Sequence, residues 1–195
     1  MCYLYNKWIS CCQGIKVNVW NRSKGPCERA AALGASVVPS PKDVAATSDV
    51  TFVMMPTPKV ARLIYTNSDT GLLAGITKGK GVVDCASLDA STMRELAGLV
   101  QEREGRFCAA PVAGHGGMAR NATVQFLCSG DVELYESIGF MLDAMSKNKV
   151  WLGTDAGAAS NMKLVVNGLL ADITASMGEA MALADKAGSI DRLID

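Results

Sequence analysis

The sequence predicts an α/β fold with a mostly parallel sheet, followed by the start of a long helix. Three observations carry this expectation. Short β-rich runs alternate with helix-patterned segments from residue 17 to residue 152. Two of the helical segments open on a side chain suited to capping, Ser40 and Asp89 or Ser91. A stretch without proline, from about residue 156 to 187, then outruns what one small domain needs, at about 45–50 Å for 1.5 Å per residue.

The elements follow in order. Residues 1–14 are aromatic and cysteine-rich, fit no element cleanly, and form an atypical N-terminal segment. Val17-Asn-Val-Trp-Asn21 alternates and reads as a strand. Arg22 to Pro26 is a turn, and Cys27 to Leu33 a short helix stopped by Gly34. Ala35 to Val38 is a second strand. Pro41 to Ala46 is a helix with Ser40 as N-cap and proline at its first position. Asp49 to Met55 is a buried strand closed by Pro56-Thr-Pro58, and Lys59 to Tyr65 is helical. Gly81 to Cys85 is a strand, and Ala90 to Glu104 a helix capped by Asp89 or Ser91. Arg106 to Ala110 and Thr123 to Cys128 are strands, Asp131 to Ser146 is a helix, and Val150 to Leu152 is a short strand before the final helix, with Gly188 as its stop.

Composition narrows the function. The chain has 195 residues, 49% hydrophobic and 19% charged, with a formal net charge of zero. That balance gives no electrostatic case for nucleic acid or an anionic membrane. No apolar run approaches a membrane span, and the first residues lack the pattern of a signal peptide. The seven cysteines are an odd number without zinc-site spacing, and Cys85, Cys108 and Cys128 read as small core residues. A reducing compartment follows, with the cytoplasm as the expected location and an organelle left open. A single histidine, His115, permits neither a histidine-based triad nor a multi-histidine metal site.

Chemistry gathers at the strand ends, where parallel sheets bind ligands. Asn21-Arg22-Ser23 follows the first strand, and an arginine there suits a phosphate as well as it suits an exposed turn. Met55-Pro56 is a rigid exit that either packs on a planar ring or ends the strand. Asp84-Cys-Ala-Ser87 presents a hydroxyl that serves a ligand or caps a helix. Ala110-Pro-Val-Ala-Gly114-His115-Gly116-Gly117 is a glycine-rich turn that forms an anion nest or a flexible loop, with His115 as a proton-active group or, the favoured reading, a loop tip. In the final helix, Lys163 and Asn167 share one face, one turn apart. Met162, Val165, Val166, Leu169, Ile173, Met177 and Met181 recur at helical spacing and are expected to be buried on the opposite side.

These motifs occur together in a recognisable order. Val17-Asn-Val-Trp-Asn-Arg-Ser, Met54-Met-Pro, Val83-Asp-Cys-Ala-Ser-Leu-Asp-Ala, Ala110-Pro-Val-Ala-Gly and Gly153-x3-Gly-x5-Lys163-x3-Asn167 resemble the β-hydroxyacid dehydrogenases, a family that includes 3-hydroxyisobutyrate dehydrogenase and, more distantly, 6-phosphogluconate dehydrogenase. Trp20-Asn-Arg-Ser, Ser87-Leu-Asp-Ala and Ser129-Gly-Asp-x3-Tyr135 are most similar to its glyoxylate/succinic semialdehyde reductase branch.

The resemblance implies a Rossmann-like NADP-binding domain over residues 15–153 and the start of an all-α C-terminal domain over 154–195. By position it implies Lys163 as the catalytic proton donor and Asn167 as a substrate ligand. Val112, Ala113 and Gly114 would bind the substrate carboxylate. Asn21, Arg22, Ser23, Met55, Pro56 and Ser87 would contact the cofactor, with NADPH preferred over NADH. The implied reaction is reduction of a small aldehyde or keto acid such as glyoxylate or succinic semialdehyde. A small carboxylic acid is the expected partner, and association of copies through the final helix stays open.

Departures from the family pattern are equally legible. The Gly-x-Gly-x-x-Gly turn that should precede Val17 is absent, so the sheet is expected to lack its first strand and the domain to be incomplete. The chain reads as shortened at both ends. Ala86 and Ala113 stand where the family has serines. The alternative expectation is therefore a non-catalytic relative or fragment that serves as a protein-association module.

Overall fold

The computed structural model describes residues 15–188, so the expectation for residues 1–14 and the last residues of the chain lie outside it. The strands are β1 (Asn18–Val19), β2 (Ser36–Val37), β3 (Val50–Val53), β4 (Gly81–Asp84), β5 (Arg106–Ala109), β6 (Val112–Ala113), β7 (Val124–Gly130) and β8 (Ser146–Trp151). The helices are α1 (Lys24–Ala31), α2 (Pro41–Thr47), α3 (Pro58–Thr66), α4 (Ala90–Gln101), α5 (Gly116–Arg120), α6 (Val132–Ser137), α7 (Gly139–Met145) and α8 (Ala158–Lys186). A single 3-10 turn spans Leu72–Gly75.

The main sheet runs in the order β3-β4-β5-β7-β6, with β8 on β7. β3, β4 and β5 are mutually parallel, as are β7 and β8. β7 runs antiparallel to β5 and β6, so β7 and β8 together oppose the direction of the other strands in this sheet. β1 and β2 form a separate parallel pair. Among the described residues no strand lies between β1 and β3. A groove of about 400 Å³ runs there, lined by Val17 and Val19 on one side and Val50, Phe52 and Met141 on the other. The Asn18 amide spans one end, donating to the Thr47 carbonyl at 3.2 Å and to Thr47 Oγ1 at 3.0 Å.

Strand alternation sorts side chains onto two faces. Val82, Phe107, Ala109 and Leu127 point to one core, where Tyr65, Leu72, Met93, Leu96 and Val100 cover them. Val83, Cys108, Phe126 and Cys128 point to the other, under Leu134, Ile138 and Leu142. β4 is buried along its whole length, as a central strand must be. Cys85, Cys108 and Cys128 are buried free thiols, in keeping with their apolar neighbours in sequence.

Caps explain why the helices start where they do. Ser40, Thr57, Asp89 and Asp131 each accept a backbone N–H of the turn that follows. Ser87 is therefore not the cap of α4, and Asp89 takes that role through the N–H of Thr92 at 2.8 Å.

Three expectations change. Helix α1 begins at Lys24, inside the turn expected over Arg22 to Pro26, and ends at Ala31. The helix expected over Asp131 to Ser146 is broken at Ile138 into α6 and α7. The Ser137 hydroxyl donates back to the Leu134 carbonyl at 2.7 Å, and Gly139 follows, so helix continuation is weakest at this point. The strand expected at Val150 begins at Ser146, because Lys147 and Asn148 face solvent on an outer strand and carry no apolar signal.

Candidate active site

The parallel register sets the site. Val53 pairs with Asp84, and Asp84 with Ala109, so β3, β4 and β5 end level with one another. The segments leaving them meet in an open cavity of about 350 Å³, to which Met54, Met55, Pro56, Cys85, Ala86, Ser87, Val112 and Gly114 contribute. Of the expected site residues, the fold thus gathers Met55, Pro56, Ser87, Val112 and Gly114 at one place. Ala113 sits between two of them on β6. Asn21, Arg22 and Ser23 lie apart, exposed at the end of β1. Lys163 and Asn167 lie on α8 and do not line this cavity.

Asp84 organises the turn that carries Ser87. Its carboxylate is wholly buried and accepts the Ala86 N–H at 2.9 Å and the Tyr65 hydroxyl at 2.7 Å. Burial pushes its pKa up from 3.8 to about 6, against those two hydrogen bonds, which pull it down. Ser87 follows this pinned turn and is exposed. Cys85 beside it is buried, and burial together with the Asp84 charge raises its thiol well above the usual range.

The glycine-rich turn is more ordered than a flexible loop. Gly114 has φ +144°, a backbone state that favours glycine, and a Cβ there would stand 3.0 Å from Val124 Cγ1. His115 is the N-cap of α5 rather than a loop tip: its Nδ1 accepts the Gly117 N–H at 3.2 Å. Cys85, His115 and Gly116 line the cavity and were not among the site residues expected from sequence. The Asp84-Cys-Ala-Ser87 and Gly114-His115-Gly116 runs held the only signal for them.

Lys163 is the main surprise on α8. It is only 8% exposed, whereas Val165, Leu169 and Met177 are each at least 60% exposed. The expected orientation is inverted: the lysine faces the domain, and most of the apolar stripe faces outward. The reason is the packing partner. α8 meets the domain through Ala156, Ala159 and Ser160, small residues at its start, and the apolar stripe continues beyond the sheet where no described element covers it. Burial lowers the pKa of Lys163, which has no hydrogen bond or ion pair among the described residues. Asn167, one turn on, is exposed. Among the described residues no cluster of three or more His, Cys, Asp or Glu side chains could hold a metal ion.

The residues present suit the two ends of a dinucleotide. Arg22 is an exposed cation without a described partner at a strand end, and the Met55, Pro56 and Ser87 cavity is open and largely apolar. No described residue supplies a Gly-x-Gly-x-x-Gly turn for the pyrophosphate between them.

A sheet of this topology, with its cavity at level strand ends and a long helix beyond, defines a dinucleotide-binding α/β domain of Rossmann type. The chain belongs to the family described as the NAD binding domain of 6-phosphogluconate dehydrogenase, matched over residues 10–153. It is 37% identical over 175 residues to glyoxylate/succinic semialdehyde reductase 2, chloroplastic, of Arabidopsis thaliana, covering 90% of this chain and 48% of that protein. It is 35% identical over 175 residues to the cytokine-like nuclear factor N-PAC of Homo sapiens, covering 90% of this chain and 31% of that one. Among solved structures, the 3-hydroxyisobutyrate dehydrogenase of Mycobacterium tuberculosis with L-serine superposes with a TM-score of 0.87 at 25% identity, over 99% of this chain and 65% of that one. The chain thus spans about half or less of the length of these two sequence relatives. Its kinship is with the β-hydroxyacid dehydrogenases and their NAD(P)-binding domain.

Proposed function

We propose that the protein works as an NADPH-dependent oxidoreductase of the β-hydroxyacid dehydrogenase type, reducing a small aldehyde or keto acid such as glyoxylate or succinic semialdehyde. The observation that carries this reading is Lys163, a buried lysine without a described partner on the helix that follows the dinucleotide-binding domain. A surface lysine would be exposed, and a structural buried lysine would be paired.

A nicotinamide, when bound, would supply the hydride that reduces the carbonyl carbon. Lys163 gives its proton to the carbonyl oxygen, which becomes the hydroxyl, and recovers a proton from solvent. Its lowered pKa suits this, because a less basic ammonium releases its proton more readily near neutral pH. Asn167 holds the substrate from one turn further along. Backbone N–H groups at Val112, Ala113 and Gly114 hold the carboxylate. Met55, Pro56 and Ser87 face the ring end of the cofactor, and Asn21, Arg22 and Ser23 its 2′-phosphate.

In this reading residues 15–153 form the cofactor domain, and residues from 154 onward begin a helical domain. The cytoplasm is the proposed location, with the chloroplast as the alternative that the plant relative's name suggests. No helix among the described residues is long and apolar enough to cross a membrane.

The test is fluorescence titration with NADPH, followed by turnover of glyoxylate and succinic semialdehyde. Binding, with turnover abolished by Lys163→Ala, supports the reading. Absence of both binding and turnover sinks it for this polypeptide. One observation favours the second reading, a protein-association module: Leu164, Val165, Leu169, Leu170, Ile173 and Met177 leave an outward apolar face on α8. Sedimentation that finds a monomer at all concentrations would remove the case for association between copies.

A further inference from the structure

The first turn of α8 has no capping side chain of its own, because its N-cap is Gly157. Two neighbours hold it instead. From β7, Ser129 Oγ donates to the Ala156 carbonyl at 3.3 Å and accepts the Ala159 N–H at 3.1 Å. From α4, Arg94 grips Asp155 with its planar fork, Nε to Oδ1 at 2.8 Å and Nη2 to Oδ2 at 2.7 Å. Asp155 Oδ1 also accepts the Gly157 N–H at 3.0 Å. The guanidinium lies so close to Gly157 that a Cβ there would stand 2.7 Å from Cζ. A side chain at 157 would therefore push the guanidinium aside, although the backbone angles there are ordinary helical ones.

The three groups close on one another: fork on carboxylate, carboxylate on backbone N–H, guanidinium on bare Cα. Lys163 follows Gly157 by less than two turns on the same helix. Any tilt or slide of the helix start moves Lys163 with it, and Lys163 has no described partner of its own to resist the motion.

We propose that Arg94 is a positioning residue that acts through Asp155 and Gly157, clasping the start of α8 to the domain so that Lys163 is held at its buried depth. The proposal deepens the functional reading and rests on Lys163 being the proton donor there. Arg94 and Asp155 are both about half exposed, with side-chain exposures of 51% and 50%. The clasp therefore contributes geometry more than stability, and its removal leaves the fold intact.

The experiment uses the full chain and follows Lys163 directly. The pH midpoint for acetylation of Lys163 is read by mass spectrometry in the wild type and in Arg94→Gln, Asp155→Asn and Gly157→Ala. Hydrogen exchange over residues 158–164 is measured in parallel. A clasp predicts that all three variants raise the midpoint, because a looser helix hydrates the ammonium. It also predicts that backbone protection in the first turns falls about two- to fivefold. A direct field effect gives a different pattern: losing the arginine charge raises the midpoint, losing the aspartate charge lowers it, and Gly157→Ala leaves it alone. That pattern, or no change in any variant, overturns the proposal. NADPH turnover is assayed separately. A wild type that shows the shifted lysine but no turnover defeats the functional reading and leaves the clasp standing.

Discussion

Tyr65 donates its hydroxyl proton to Asp84 Oδ2 at 2.7 Å, and both side chains are fully shielded from solvent. No cation joins them: the second carboxylate oxygen is met by the Ala86 N–H instead. A buried carboxylate satisfied only by neutral donors keeps its proton more firmly in the folded state than in the unfolded chain. The rise from 3.8 to about 6 expresses that preference.

The stability consequence has a definite sign. Below about pH 4 both states are protonated and Asp84 contributes nothing. Between there and pH 6 the folded state binds the extra proton, so stability falls as pH rises. Above pH 6 the full penalty remains, on the order of 3 kcal/mol as an upper bound. Asp84→Asn, which can still accept from Ala86 and donate to Tyr65, removes it. Urea unfolding at pH 4, 5, 6 and 7 should show the variant gaining on the wild type up to about pH 6 and holding a constant lead above it. Equal pH dependence in the two proteins would contradict the assignment. Asp155 behaves oppositely: Arg94 holds it down to about 2, so its contribution is lost as pH falls.

Ser129 is buried at the end of β7 and bridges the backbone on both sides of Gly157. Ser129→Ala strips the Ala156 carbonyl and the Ala159 N–H of this partner at a buried helix start. The expected loss is about 1–3 kcal/mol, the range for orphaning buried polar groups. Denaturant unfolding measures it, and hydrogen exchange should place the weakening in the first turn of α8 rather than in β4. A variant as stable as the wild type would show that water replaces the hydroxyl there.

How much of this was legible depends on where each signal lives. Caps and prolines act within a few residues, so Ser40 with Pro41 marked α2 without error in its start. Periodicity marked β3, β4 and β5 because their burial depends on near neighbours in the sheet. It failed for α8, where the same apolar stripe that usually faces a core faces outward. Helical spacing says which residues share a face, but not which face meets the domain. The small residues Ala156, Ala159 and Ser160 decide that by allowing close approach, and nothing in their spacing announces it. The reversal of β7 and the capping role of His115 depend on contacts across the chain, beyond what local pattern holds. The meeting of Met55, Pro56, Ser87, Val112 and Gly114 was readable at the strand ends because a parallel sheet brings them together whatever the loops contain. The Arg94 to Asp155 pair spans 61 positions and left no trace in the sequence.

Lys163 ties stability to function in a way that can be separated. Burial lowers its pKa from 10.5, so the folded state holds the proton less firmly than the unfolded chain. Its charge therefore destabilises the fold at neutral pH, and the cost shrinks as pH rises through the lowered value toward 10.5. Lys163→Met keeps the length of the side chain and removes the charge. Thermal unfolding at pH 7 should place the variant above the wild type, with the gap closing near pH 10, while turnover is lost. A Met variant less stable at pH 7 would mean that the ammonium has a partner in solution, and the proton-donor reading would lose its physical basis.

Arg22 offers the sharpest test of cofactor choice. It is exposed at the end of β1 with no described hydrogen bond or ion pair, next to Asn21, whose amide donates locally to the Ser23 carbonyl at 3.0 Å. A guanidinium in that state has its donors free for a ligand, is more weakly hydrated than an ammonium, and matches a phosphate with paired hydrogen bonds. Arg22→Ala should weaken NADPH binding about ten- to a hundredfold, the equivalent of about 1.5–3 kcal/mol for hydrogen bonds to a charged group. NADH lacks the 2′-phosphate, so its affinity should stay within about twofold, the change expected of a surface substitution. Parallel fluorescence titrations with the two cofactors measure the ratio. Equal losses for both would place Arg22 on a part of the dinucleotide that they share, and equal affinities in the wild type would remove the case for NADPH preference.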